Sequence, residues 1–253
     1  MLAPERHHLI LNRLEERGIV RTMELAEQFA VTDETIRRDL QILSDAGKLA
    51  RVHGGANSLN NRFKLRSFNE RTELNIEAKQ AIAEASLSLI QPNRTYAFDS
   101  STTALALVLI LPNLPFRVVT NAFAVLEQLK HRDSIELIST GGRYHPKTHT
   151  FVGGDSINTL GRHQIHTAFI SCIGFDIERG ASEGFEEQAT FKEQLILLAE
   201  EVVLLVDSSK LNQQSEYFFA PSKRISRIIT DKGIHTKQAD AIRGCGVKLT
   251  IAS

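Results

Sequence analysis

The sequence predicts an α/β protein in which a small, mainly helical unit precedes a larger domain built on a largely parallel sheet. Strand-like runs stand at 95–99 (TYAFD), 116–120 (FRVVT), 135–139 (IELIS), 167–174 (TAFISCIG), 202–206 (VVLLV), 227–230 (RIIT) and 247–251 (VKLTI). Helical patterns at 76–90, 103–111, 122–131, 188–200 and 236–243 lie between most of them. Alternation at that spacing means βαβ units, with helices covering both faces of the sheet. Ahead of residue 57 the text is different: three short amphipathic segments, then a hairpin pattern closed by paired glycines.

In that first block Leu9, Ile10 and Leu14 mark a helix that stops at Gly18, with Ile19 beyond it. Thr22 is placed to cap a second helix carrying Leu25, Ala26 and Phe29 on one side. Thr32 is placed to cap a third, where Asp33 and Glu34 suit the positive end of the helix dipole. Ile36, Leu40 and Leu43 recur at i, i+4, i+7 and must face the core. Arg38 then points almost directly away, with Glu34 and Gln41 beside it and Arg37 and Thr35 on the flanks. Asp39 falls at the buried edge, where it is expected to position an arginine or receive a backbone donor. KLARVHGGAN alternates Leu49 and Val52 with polar residues and closes on Gly54-Gly55, a small β-hairpin.

Three short helices and a hairpin, with outward polar residues on the third helix, fit a winged helix-turn-helix, the helix-turn-helix itself at about 20–39. Arginine pairs with guanine O6 and N7 in the major groove, so Arg37 and Arg38 are candidate base readers. Thr22, Thr32, Thr35 and Gln41 are candidates for phosphates or other base edges, and Lys48, Arg51 and His53 of the wing for the neighbouring backbone. Solvated arginines in surface salt bridges are the plain alternative. The block also carries slightly more acids than bases, which leaves a protein-binding winged helix open.

Residues 58–72 turn polar and patternless and are expected to be a linker between a 1–57 domain and a 73–253 domain. From Lys48 to Arg66, the bases Lys48, Arg51, Arg62, Lys64 and Arg66 occur without one acid, so basic character is local. It has to be, because 30 Lys and Arg balance 30 Asp and Glu over the 253 residues. Zero formal charge argues against wholesale coating of nucleic acid or acidic membranes. MLAPERHHLILNRLEERG does not read as a signal peptide, and TALALVLIL ends at Pro112 after half a membrane span, as a buried helix. A soluble, cytoplasmic protein is expected, and Cys172 and Cys245 are too far apart for a metal or redox pair.

In the larger domain FDSSTTALAL joins a strand ending at Asp99 to a helix. Its free amides and the hydroxyls of Ser100, Ser101, Thr102 and Thr103 make an anion pocket. Thr120-Asn121, Gly141-Gly142-Arg143 and Asp207-Ser208-Ser209-Lys210 end other strand patterns, so the clusters would converge on one crevice beyond the strand ends. Lys192 and Lys210 can supply positive charge for a phosphate, with Asp207 orienting Lys210. Taken singly, a Ser/Thr turn is usually a cap and Gly-Gly usually a turn.

Across nearly its whole length the chain resembles the DeoR family of bacterial sugar-catabolism regulators. The resemblance rests on ERHHLILNRLEERG, ELAEQFAVTDETIRRDLQIL and GKLARVHGGA, then FDSSTT, VVTN, STGG and LLVDSSK in order. Thr32 stands where a serine is commoner in the family, and still caps. The resemblance implies a sensor fold akin to sugar-phosphate isomerases and CoA transferases. It also implies a phosphorylated sugar as effector and repression as the usual outcome. It carries effector binding onto Asp99, Ser101, Thr102, Thr103, Asn121, Gly141, Gly142, Lys192 and Lys210.

Two recognition helices acting together would require a homodimer or homotetramer on repeated half-sites. A sugar-phosphate isomerase or hydrolase with Glu183, Glu186 or Glu187 as base is the main alternative, but it leaves the first block without a role. His145, His149, His163 and His166 are expected to be surface or loop residues and not metal ligands, and Cys172 a buried hydrophobe. GxGxxG and GxxxxGK[ST] are absent, so no nucleotide cofactor is expected.

Overall fold

The structure is a computed structural model that describes residues 2–17, 19–52, 54–58 and 67–253. The chain divides into two compact units, residues 1–65 and 66–253. Gly18, His53 and the basic residues Arg62, Lys64 and Arg66 lie outside the described residues.

The first unit runs α1 (Ala3–Arg17), β1 (Ile19–Arg21), α2 (Thr22–Phe29), α3 (Asp33–Asp45), β2 (Leu49–Val52) and β3 (Gly55–Ser58). Ile10, Leu14, Leu25, Phe29, Ile36, Leu40, Leu43 and Leu49 form its core, as the periodicity requires. The hairpin gains a third strand that the sequence did not announce, in the order β1-β3-β2. Gly55 permits it: a Cβ there would sit 2.0 Å from the Val20 carbonyl oxygen. Thr32 caps α3, its Oγ1 accepting from the Thr35 amide at 3.3 Å. Thr22 does not cap α2. It is the first helical residue, its side chain is buried, and its amide donates to the Gly54 carbonyl at 2.8 Å.

Asp39 binds a residue from the other end of the unit. Arg6 of α1 donates through Nε to Asp39 Oδ2 at 2.7 Å and through Nη2 to Oδ1 at 3.1 Å, and His7 Nε2 lies 2.9 Å from Oδ1. Burial would push the Asp39 carboxyl up, but the hydrogen bonds and charges of Arg6 and His7 win and hold it below the usual carboxylate range. The pair fixes α3 against α1.

The second unit opens earlier than its composition suggests. Within the stretch read as linker, Ser67 and Glu70 form a reciprocal capping box, Ser67 Oγ accepting from the Glu70 amide at 3.3 Å and Glu70 Oε2 from the Ser67 amide at 2.6 Å. They start α4 (Phe68–Thr72), whose Phe68 is buried and stacks on His149 at 4.8 Å. The rest follows in the order α5 (Ile76–Ser86), β4 (Thr95–Phe98), α6 (Thr102–Leu109), β5 (Phe116–Thr120), α7 (Phe123–Leu129) and β6 (Ile135–Ser139). Next come β7 (Arg143–His145), β8 (Thr150–Val152), α8 (Gly154–Leu160), β9 (Ile165–Ile170), β10 (Gly174–Asp176) and β11 (Gly180–Glu183). The unit closes with α9 (Glu186–Leu198), β12 (Ala199–Leu205), β13 (Tyr217–Ala220), β14 (Arg227–Asp231), α10 (Thr236–Gly244) and β15 (Lys248–Ala252).

All the expected runs become strands of a single seven-stranded sheet, β15-β14-β12-β9-β4-β5-β6, and every pairing in it is parallel. Alternate residues feed opposite faces. Tyr96, Phe98, Phe169 and Val203 pack with Ala104, Leu107, Val125 and Leu129, while Ala97, Ala168, Ile170 and Leu204 pack with Leu160, Leu195 and Ile242. Each fully buried aliphatic side chain contributes about 1.5–3 kcal/mol. The apolar run read as a wholly buried helix is buried on one side only, since Leu109 and Ile110 are exposed. Two small antiparallel sheets, β7-β8 and β10-β11-β13, escape the sequence patterns.

Lys79 of α5 ties α4 down by donating through Nζ to the Arg71 carbonyl. Burial, then the charge of Lys210, lowers its amine from the ordinary 10.5 to about 8.

Two outcomes follow. Asp39→Ala should cost about 1.5–3 kcal/mol, the worth of a charge-assisted hydrogen bond, read as lost amide-exchange protection in α1 and α3 while the parallel sheet is unchanged. The same contribution in the wild type should persist above pH 3.8 and fade only as pH drops through the lowered folded value. For Lys79, whose value is likewise lowered, the direction is the same in a higher pH window. Between about pH 8 and 10.5 the unfolded chain holds the extra proton, so folding is favoured as pH rises. Across that window the wild-type melting midpoint should gain on that of Lys79→Met; a constant difference would refute it.

Candidate functional sites

In the first unit, Ile36, Leu40 and Leu43 turn one side of α3 inward and leave the opposite side free. Arg37 and Arg38 are both exposed. Arg37 makes one loose contact, 3.7 Å to Glu34, with 58% of its side chain accessible, and among the described residues Arg38 has no ion-pair partner. Asp39, one position on, is the buried anchor. The sequence RRD therefore alternates two outward guanidiniums with one inward carboxylate, and the Arg6–Asp39 pair sets the rotation of the helix that carries them.

Thr32 and Thr35 share a hydrogen bond at 2.9 Å between their hydroxyls, at the exposed start of α3. Gln41 is exposed but engaged: Nε2 donates to Asp45 at 2.7 Å and Oε1 accepts from Arg51 Nη1 at 2.8 Å. Arg51 is thereby joined to α3 across the hairpin, and Lys48 is exposed beside it. Thr22, expected at this surface, is buried. His53 lies outside the described residues.

In the second unit, the order of strand addition reverses between β4 and β9. Strands β5 and β6 extend the sheet one way from β4, and β9, β12, β14 and β15 the other. Such a switch point opens a crevice at the strand C-termini, where Asp99 and Ser171 stand. The crevice floor is charged, one ammonium between two carboxylates. Lys192 of α9, 3% accessible, contacts Asp99 Oδ2 at 2.9 Å, Glu183 Oε1 by a short bond, and the Ser171 carbonyl at 2.7 Å. Burial would lower its amine, but Asp99 and Glu183 reverse that and hold it raised. Asp99 also accepts from the Ser171 amide at 2.9 Å and from the Ser101 amide and hydroxyl.

Most of the expected effector residues meet here, with roles that differ. Ser101 caps α6 by accepting from the Ala104 amide at 3.1 Å. Ser100 accepts from Gln188 at 3.0 Å, and Thr120 donates to the Phe98 carbonyl at 2.7 Å. Lys192 and Asp99 saturate each other, so neither is a free charge for a phosphate, because burial forces them to pair. Gly142 has φ +107, and a Cβ on it would lie 2.6 Å from the Val152 oxygen; with Gly141 it shapes the turn into β7. Arg143 is exposed and pairs with Glu187 at 2.6 Å. Lys210 contacts Asp207 at 3.3 Å, as its spacing suggested.

Buried polar atoms without partners gather at the same strand ends: Thr103 Oγ1, Asn121 Oδ1, Ser171 Oγ, and Nε and Nη2 of Arg71. Arg71 escaped the sequence reading. Burial lowers its guanidinium against the pull of Glu183 and Asp99. The signal available was the S-x-x-E box that places it on a helix. An open depression of about 400 Å³ lies to one side, lined by Glu73, Asn75, Glu77, Asp207 and Asp231, and its acidic wall suits no anion. No group of three metal-ligating side chains occurs among the described residues. His145 packs on Phe185, and His166 Nδ1 accepts from the Thr95 amide at 3.0 Å; both are half-buried, not on the surface. Burial pushes the Cys172 thiol up to about 12.

Comparison with known proteins bears on both units. The family model for the DeoR-like helix-turn-helix domain matches residues 6–62, and that for the DeoR C terminal sensor domain matches residues 74–232. The HTH-type transcriptional regulator YulB of Bacillus subtilis (strain 168) is 35% identical over 250 residues, covering 99% of this chain and 97% of its own. The L-fucose operon activator of Haemophilus influenzae is 33% identical over 229 residues, 90% of this chain and 92% of its own. A putative aga operon transcriptional repressor of Escherichia coli O157:H7 is 29% identical, with 98% and 93% covered. Among solved structures, ribose 5-phosphate isomerase A from Methanocaldococcus jannaschii aligns over 54% of this chain and 55% of its own, at 18% identity and a TM-score of 0.41. With a matched helix-turn-helix presenting two exposed arginines, a matched sensor domain on a parallel sheet, and relatives alike over nine-tenths of the chain or more, this chain belongs to the DeoR family of DNA-binding transcriptional regulators.

Proposed function

We propose that the chain represses a carbohydrate-utilisation operon and that a phosphorylated sugar, bound at the strand-end crevice of the second unit, controls its grip on DNA. The observation that carries the DNA half is the free guanidinium pair on α3, held outward by the buried Asp39–Arg6 bond. Arg37 and Arg38 read base edges in the major groove, Thr32 and Thr35 meet phosphate at the helix start, and Lys48 and Arg51 follow the backbone from the wing. Few phosphate contacts are required, so an overall neutral chain is no obstacle. The relatives named for the aga and L-fucose operons support carbohydrate control, and they include both a repressor and an activator.

For the effector, Thr103, Asn121 and Ser171 offer unsatisfied groups within the crevice, and Lys210 a cation at its edge. Asp99 and Lys192 build the floor. The protein acts in the cytoplasm, where chromosomal DNA is, as a homodimer or homotetramer. One short helix reads too few base pairs for useful specificity, and paired helices on repeated half-sites supply the rest.

Arg37→Ala and Arg38→Ala should each weaken binding to the DNA upstream of the regulated operon by tenfold or more, since a bidentate guanine contact is worth about 1–3 kcal/mol. Fluorescence anisotropy would measure this, with sugar-phosphate thermal shifts of the same variants left at wild-type size. Loss of both activities together would defeat the division of labour. Wild-type affinity should fall steeply with salt, and sedimentation should find two or four chains per complex. A single chain on DNA refutes the assembly.

A further inference from the structure

Arg71 is the charged residue at the crevice whose donors the described fold leaves unpartnered. Its main chain is fixed from two sides, the carbonyl accepting from Lys79 Nζ and from Thr102 Oγ1 at 3.3 Å. Its guanidinium carbon lies 5.7 Å from the centre of the Phe68 ring. Nε and Nη2 are nonetheless buried without a hydrogen-bond partner. The carboxylates that could serve them are engaged elsewhere: Asp99 holds Lys192, Ser101 and Ser171, and Glu183 holds Lys192. A buried, charged donor pair left empty costs more than a made hydrogen bond returns, so such a group in a well-packed fold marks a place for a ligand.

The remaining orphans describe the rest of that ligand. Asn121 Oδ1 is an acceptor in need of a donor, and the hydroxyls of Thr103 and Ser171 can serve either way. They stand where β5, α6 and β9 meet the ends of neighbouring strands in the order β9-β4-β5. An anionic fork-acceptor on a polyhydroxylated carbon chain satisfies both sets at once.

The geometry points to Arg71 as the anchor of the effector's phosphoryl group, its Nε and Nη2 donating to two phosphate oxygens while Asn121, Thr103 and Ser171 take the sugar hydroxyls. This rests on the sugar-phosphate reading above and names its principal binding residue. It also places that residue on α4, in the segment whose composition suggested a mere connection. The cation is supplied by an arginine and not by Lys192, because a planar fork matches phosphate in bidentate fashion, whereas the lysine is already neutralised.

Thermal-shift and calorimetric titrations of the intact chain test this with inorganic phosphate, ribose 5-phosphate, fructose 6-phosphate, gluconate and free fructose as probes. The wild type should respond to the phosphorylated probes and not to free fructose. Arg71→Gln should weaken that binding at least tenfold, Arg71→Lys should lose part of it, and Arg94→Gln, an exposed arginine ahead of β4, should match the wild type. Without ligand, Arg71→Gln should melt at the wild-type temperature or above it, since an unpaired buried charge has been removed. If Arg71→Gln keeps wild-type affinity for the phosphorylated probes, or melts several degrees lower without ligand, the anchor assignment is overturned and the sugar-phosphate reading stands. A response to gluconate alone overturns the phosphoryl choice. If the wild type responds to none of the probes, the sugar-phosphate reading itself fails and takes the assignment with it.

Discussion

The sensor unit is organised around one buried ammonium. Lys192 reaches from α9 to the ends of three different elements, taking Asp99 after β4, the Ser171 carbonyl after β9 and Glu183 at the end of β11. Taking a lysine and two carboxylates out of water costs several kcal/mol per ion, so the arrangement survives only if each charge answers another. That demand fixes where the switch-point strands end relative to one another. It also exhausts the acids nearest the crevice, and this is why a second cation there, Arg71, is left with open donors. With Arg71 the cluster holds two cations and two acids, so what it offers a ligand is the unpartnered donors of Arg71 and not an excess of charge.

The DNA-binding unit uses the same device at smaller scale. Asp39 is the only inward acid among the outward polar residues that surround it on α3, and Arg6 meets it from α1. Core packing by Ile36, Leu40 and Leu43 would tolerate some rotation of the helix, because aliphatic contacts are not directional. A two-point guanidinium–carboxylate bond is directional. With it in place, Arg37 and Arg38 project as a pair, and the Gln41–Arg51 bond carries the same orientation to the wing. On the proposed reading, affinity comes from the exposed arginines and their register on a duplex from the buried one.

What the sequence discloses divides along physical lines. The inner strands of the parallel sheet are legible because both their faces are buried, so FRVVT and VVLLV stand out as apolar runs. The three helices and the hairpin of the first unit are legible from period and capping chemistry, and α3 starts where Thr32 says it does. Short strands such as β7, β8 and β10 are not, since three residues cannot display alternation. Helix α4 hides in a polar stretch because only Phe68 is buried along it, although its capping box is written in Ser67 and Glu70. At the crevice the chemistry-bearing loops were legible as Ser/Thr and Gly clusters beyond strands. Which of their atoms are already spent was not: one partner of Asp99 lies 72 residues away at Ser171, and that of Ser100 lies 88 away at Gln188.

This distinction between present and spent groups changes how the effector cluster is understood. Composition put Asp99, Ser101 and Lys192 at its centre, yet each is consumed by the fold. Ser101 caps a helix, Asp99 ties two strand ends, and Lys192 pairs with both Asp99 and Glu183. They are the reason the crevice exists, and their loss would collapse it whatever the ligand. On the proposed reading, recognition falls instead to the groups the fold has left unsatisfied, on α4, α6 and the turns after β5 and β9. If the cleft holds the proposed effector, it can keep its charged floor while the outer residues are exchanged to suit a different ligand, because the floor's hydrogen bonds do not depend on what is bound above it.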